Sequence, residues 1–149
     1  MCAAVAACAS IDKQKFDAVI KAGQALQAEA KPVGGDDTQT RAKLKQFDTE
    51  IEAIRDHTIG AQEVEAFKAF AESADAYRYF LRFKTLDLDV DPNEIQLKGG
   101  PNLEVATRYR LPLDSRGGSQ WVNRARAITI LLQAAEQRLA DGNRIVSGK

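Results

Sequence analysis

The side chains able to do chemistry are few and scattered. His57 is the only histidine, Met1 the only methionine, and Cys2 and Cys8 the only cysteines. A haem held by His and Met is therefore excluded, as is one attached through Cys-x-x-Cys-His. There is no Glu-x-x-His pair for a di-iron bundle and no Cys/His cluster at zinc-ligand spacing. A Ser-His-Asp triad would have to use His57. That residue stands just before Thr58-Ile59-Gly60 at a helix C-terminus, where an imidazole serves the exposed carbonyls. Carboxylate pairs stay open on spacing alone, but no acid falls on an apolar stripe where burial would raise its pKa. Two stretches imitate ligand loops. Asp87, Asp89 and Asp91 alternate as at the start of an EF-hand, yet the sixth position holds Pro92 instead of Gly and the twelfth Lys98 instead of Glu. Ser115-Arg116-Gly117-Gly118 reads as a flexible loop without the Gly-Lys-Ser/Thr of a phosphate-binding loop. The prediction is a chain with no catalytic, cofactor or metal site, and not an enzyme.

The elements behind these residues read as helices. Six of the ten aromatic residues lie in Phe67–Phe83. At helical spacing Val64, Phe67, Phe70, Ala71, Ala74, Tyr77 and Leu81 form one apolar arc. Tyr79, Phe80 and Phe83 fall outside it, so the end of this helix is apolar nearly all round and needs a cover. The Asp87–Gly118 connection and Trp121 are the expected lids; left bare, Tyr79 and Phe83 would be a contact patch. A first helix is predicted over Ile11–Ala30, capped by Ser10, with Phe16, Val19, Ile20, Gly23 and Leu26 on one stripe. A second starts at Asp36-Asp37-Thr38-Gln39, a capping-box pattern, and places Leu44, Phe47, Ile51 and Ile54 on a seam. A tight turn is expected at Thr58–Ala61 with Gly60 at C′, because an unbroken rod would be too long for a domain of this size. Residues 95–111 read as a short helix opened by Pro101-Asn102 or as a hairpin, the helix being preferred. A last helix begins at the Ser119 cap, carries Trp121, Ala125, Ile128, Leu132, Ala135 and Leu139 on its stripe, and stops at Asp141-Gly142-Asn143. The fold class predicted is all-α: an up-down four-helix bundle with a long irregular connection between helices three and four.

Composition narrows the partners. The chain of 149 residues holds 21 acidic and 21 basic side chains, which argues against nucleic acid. Residues 101–149 carry eight basic against four acidic residues, so the first hundred carry the opposite excess. Either the two halves attract each other within one fold, or Arg108, Arg110 and their neighbours form a face for an anionic partner. Tyr79, Phe83, Arg108 and Arg110 are the candidate contact residues.

Residues 1–9 stand apart as a signal remnant or tail ahead of a single domain over residues 10–149. Met1–Cys8 is small, apolar and uncharged, with no basic n-region. Val5-Ala6-Ala7-Cys8 resembles the lipobox of bacterial lipoproteins: an aliphatic residue and two small ones before the cysteine that is lipidated. With the helical layout, the chain resembles small uncharacterised bacterial lipoproteins with a helical mature domain. That resemblance implies lipidation at Cys8, attachment to a membrane surface outside the cytoplasm in the bacterial cell envelope, and a basic leader upstream of Met1. The function expected is a membrane-anchored binding or scaffold module, with a protein partner of unknown identity. The alternatives are a soluble cytoplasmic helical adaptor or homo-oligomer with Cys8 incidental, and a carrier of a small apolar ligand in the aromatic end.

Overall fold

A computed structural model describes residues 10–86 and 91–149. Val5-Ala6-Ala7-Cys8 and four of the acidic-loop residues, Asp87, Leu88, Asp89 and Val90, lie outside the described residues. The helix α1 spans Lys13–Glu29, α2 Asp37–Ile54, α3 Gly60–Lys84, α4 Pro101–Arg108 and α5 Arg124–Ser147. The strands are β1 (Glu94–Leu97), β2 (Leu113–Arg116) and β3 (Ser119–Asn123). The class is thus mostly helical with a small antiparallel sheet, not all-α, and the described part of the third connection holds a strand and a short helix.

Local chemistry explains where the helices start. Asp12, not Ser10, caps α1: its carboxylate accepts the Gln14 amide at 3.1 Å. Asp36 caps α2 as anticipated, accepting from Thr38 and Gln39 at 2.9 and 3.1 Å. Between α2 and α3 the chain tightens into a single 3₁₀ turn at Arg55–His57. Gly60 then opens α3 with φ +81°, so its left-handed backbone serves the start of one helix, not the C′ position of the other. His57 is exposed and makes no hydrogen bond among the described residues; Thr58, whose hydroxyl donates to the Arg55 carbonyl at 3.2 Å, takes the capping role expected of it.

The long helices meet through small residues. α3 and α5 run antiparallel, with the Ser73 hydroxyl donating to the Ala135 carbonyl at 2.8 Å across the contact. Gly142 does not stop α5. It lies buried in mid-helix, and a Cβ there would stand 2.7 Å from the Phe70 ring. Gly23 plays the same part on α1, where a Cβ would meet Leu139 at 2.5 Å and Phe47 at 3.0 Å. These close approaches make Phe70 a hub: its ring centroid lies 6.0 Å from that of Phe16 and 6.4 Å from that of Phe47.

The buried face of α3 contains Phe70, Ala74, Tyr77 and Leu81 of the apolar arc but is wider than it. Glu63, Ala66, Phe70, Ser73, Tyr77 and Phe80 are buried in a 3-4-3-4-3 progression, whereas Val64 is half exposed. Two polar residues, Glu63 and Ser73, are thus part of the core face beside the apolar ones. The aromatic end is covered at Tyr77, Phe80 and Phe83, which have no exposed area, and Tyr79 is partly buried; Trp121, expected as a lid, is not among the side chains packed on this core.

Trp121, however, is not part of the last helix. It stands in β3, and Asn123 caps α5 instead, accepting the Arg126 amide at 3.0 Å. The sheet order is β1-β3-β2, antiparallel throughout, with Ile95, Val122 and Leu113 in register. Gly117 and Gly118, both left-handed (φ +55° and +79°), make the two-residue turn joining β2 to β3. Ile95, Leu97 and Val122 face the core, so by strand alternation Trp121 faces outward. The Arg116 guanidinium crosses this outer face from β2 to Glu94 on β1 with two bonds of 2.8 Å.

Candidate functional site

Three elements converge on a cleft of about 490 Å³ lined by Glu72 and Asp75 of α3, Arg138 and Asp141 of α5, and Arg108 and Tyr109 at the end of α4. Its floor follows from the antiparallel α3–α5 packing, which leaves the two helices' polar residues facing each other along one groove. Arg138 Nε sits 3.1 Å from Glu72 and its Nη1 3.7 Å from Asp141, bridging the helices. Arg144 Nη2 and Gln137 Nε2 approach the other Asp141 oxygen at 2.8 and 3.1 Å. Asp75 is paired with Arg78, which also reaches both Asp48 oxygens at 3.0 Å. The acids of the cleft are therefore already matched by cations of the same chain.

The wall contributed by α4 is different. Pro101 and Gly100 start this eight-residue helix, and burial of Val105 and Ala106 fixes its roll against the core. That roll leaves Arg108 exposed at the cleft, with no carboxylate partner among the described residues. Tyr109 is half-buried, and burial pushes its phenol above the usual tyrosine range, with the neighbouring Arg108 opposing. Its ring meets Tyr79 edge-on, with centroids 6.0 Å apart. The arrangement offers one unmatched guanidinium and one protonated phenol beside a neutralised groove. It can bind a group bearing negative charge; no nucleophile–base pair is assembled in it.

The sequence-derived contact residues separate here. Arg108 lines the cleft, and Tyr79 supports it from behind through Tyr109. Arg110 is exposed just beyond, held at φ +52°. Phe83 is fully buried and offers no surface to a partner. Cys8 lies outside the described residues. Among the described residues no group of three His, Cys, Asp or Glu side chains is placed to hold a metal ion.

Two residues that the sequence reading did not single out organise the ends of α3. The Glu63 carboxylate is buried and accepts three bonds: from Lys15 Nζ at 2.6 Å, from the Ile59 amide at 2.9 Å and from the Asp12 amide at 3.0 Å. Those bonds, the Lys15 one foremost, hold its pKa at about 2 against burial, which acts in the opposite direction. At the other end the Arg124 guanidinium donates to the carbonyls of Phe83 at 3.1 Å, Leu86 at 2.9 Å and Lys84. No family model matches the chain, and neither a curated protein nor a solved structure does. No helix among the described residues is long and apolar enough to cross a membrane.

Proposed function

We propose that this chain is a non-catalytic, extracytoplasmic binding module, held at a bacterial membrane surface by a lipid on Cys8 and engaging its protein partner at the α3–α4–α5 cleft. The observation that carries the binding role is the unmatched Arg108 on a wall whose facing acids are already neutralised. A partner presenting a carboxylate there would gain an ion pair without displacing one. The tether rests on Val5-Ala6-Ala7-Cys8 standing four residues ahead of the Asp12 cap. In this reading the four long helices form an up-down bundle, with each consecutive pair antiparallel, and the sheet is an addition between α3 and α5.

Orientation follows from the same reading. α3 is about 37 Å long at 1.5 Å per residue. A lipid on Cys8 would set its Glu63 end at the membrane, leaving the sheet and α4 distal and free to meet a partner. The alternative of an apolar-ligand carrier has less support, because the aromatic end is filled by its own side chains and the cleft is lined mostly by charged ones. Fractionation of the native host tests the proposal. Wild-type protein should sediment with membranes and carry an acyl mass on Cys8, and Cys8→Ala should release it. Wild-type protein that is wholly soluble with an unmodified thiol would establish the cytoplasmic adaptor instead.

A further inference from the structure

Among the described residues the large apolar side chains left exposed are not spread evenly. Of Val33, Ile59, Val64 and Leu113, two lie within six residues of each other, at the start of α3. Ile59 is 74% exposed and Val64 50%. Between them Gly60, Ala61 and Gln62 are also exposed, and Thr58 through Gln62 carry no charge in a chain that is 28% charged. This blunt, uncharged tip is held firmly. The Ile59 amide donates to Glu63, and the Thr58 hydroxyl closes the preceding turn on Arg55.

Its position gives the tip a reason. The Asp12 and Ile59 amides share the two oxygens of the Glu63 carboxylate. They are therefore within about 8 Å of each other by hydrogen-bond geometry. Cys8 is four residues before Asp12, and four residues of chain reach at most about 14 Å. A lipid on Cys8 would thus be tied within about 22 Å of Ile59. An apolar contact within reach of the anchor adds buried area to the membrane attachment.

We propose that the Thr58–Gln62 tip, with Ile59 at its apex and Val64 beside it, is a second bilayer contact whose occupant is the acyl region of the lipid surface. This inference rests on the lipid-anchor reading and adds a surface that the lipobox does not specify. Charged groups border the tip: Arg55, paired with Glu52, and His57 precede it, while Asp56 and Glu65 stand to either side and set how deep it can go.

The test imposes the tether chemically. The full chain with Cys2→Ala is coupled through Cys8 to a maleimide phospholipid in phosphatidylcholine–phosphatidylglycerol vesicles, and in parallel to a hydrophilic polymer. Hydrogen exchange is then read at residues 58–64 and, as an internal control, at the hairpin turn 116–119. Slower exchange at 58–64 on vesicles but not on polymer, with 116–119 unchanged, is the expected result. Ile59→Ser should lower partition of the uncoupled chain onto such vesicles about ten-fold, the effect of withholding one buried aliphatic side chain. Equal exchange at 58–64 on vesicles and polymer overturns the proposal. Failure of the anchor reading itself would appear elsewhere, as an unmodified Cys8 in the native host, and would leave the vesicle result interpretable.

Discussion

The two ends of α3 are fastened by opposite means. At its start an anion, Glu63, collects the amides of Asp12 and Ile59 and the Lys15 ammonium. At its finish a cation, Arg124, collects the carbonyls of Phe83, Lys84 and Leu86 and, at 3.4 Å, Pro92. Each sign is the one that a helix end leaves unsatisfied: donors at the N-terminus, acceptors at the C-terminus. The difference lies in titration. A guanidinium keeps its charge at any pH a protein meets, whereas a carboxylate does not. One end of the molecule is therefore fixed, and the other, where the chain enters the fold, can be released by acid.

Arg124→Ala should show the largest effect. It leaves the last carbonyls of α3 without their donor and frees the chain between α3 and β1. A loss of about 3–4 kcal/mol in urea unfolding is expected, since several charge-assisted bonds go together. Arg124→Lys should recover little, because a point ammonium cannot span four carbonyls as a planar fork does. Glu63→Ala follows, at about 2–3 kcal/mol, by stranding two amides and the Lys15 ammonium. Glu63→Gln keeps an acceptor and should cost about 1–2 kcal/mol. At the sheet, Arg116→Ala removes an exposed ion pair that crosses over Trp121. Its effect on stability should be small, while emission from the sole tryptophan shifts to the red. A large stability loss there would mean that the sheet end depends on its outer face as much as on Arg124.

Much of the helical frame was legible in sequence, and the reasons for the misses are physical. The seam Leu44, Phe47, Ile51 and Ile54, the Asp36 cap and the short α4 are where periodicity and capping chemistry placed them. The sheet escaped because its strands have four or five residues and β2 is exposed along its whole length, so it has no burial pattern to read. Trp121 and Val122 also continue the helical stripe of α5 backwards without a break in spacing, which disguised β3. What would have revealed it is Gly117-Gly118 between two short polar-apolar runs, a two-residue hairpin signal. Gly142 looked like a stop because glycine is disfavoured in helices; only the three-dimensional approach of Phe70 shows why it is used inside one.

The candidate site was half legible. Arg108 was named from charge distribution, and the Arg138–Asp141 and Asp141–Arg144 pairs follow from i,i+3 spacing. That Glu72 faces Arg138 depends on the register of α3 against α5, which small residues set and hydropathy does not report. Glu63 was hidden as the first acid of an amphipathic helix. Arg124 did leave a trace: α5 has no acid in its first turn and begins with an arginine, contrary to its own dipole. An arginine placed against the local field is a sign that it serves another helix.

The claim that joins fold to function is that Glu63 holds the start of α3, and with it the point where the chain leaves toward Cys8, as a buried anion. A folded-state pKa of about 2, below the ordinary 4.5, means that its contribution to stability is complete above 4.5 and is lost as pH falls toward 2. Urea unfolding of wild type and Glu63→Gln at intervals from pH 7 to pH 2 measures this directly, because every other carboxylate is common to both chains. The difference between the two curves should be constant down to about pH 4.5 and then close steadily toward pH 2. Curves that stay parallel to pH 2 would contradict an anionic Glu63 latch.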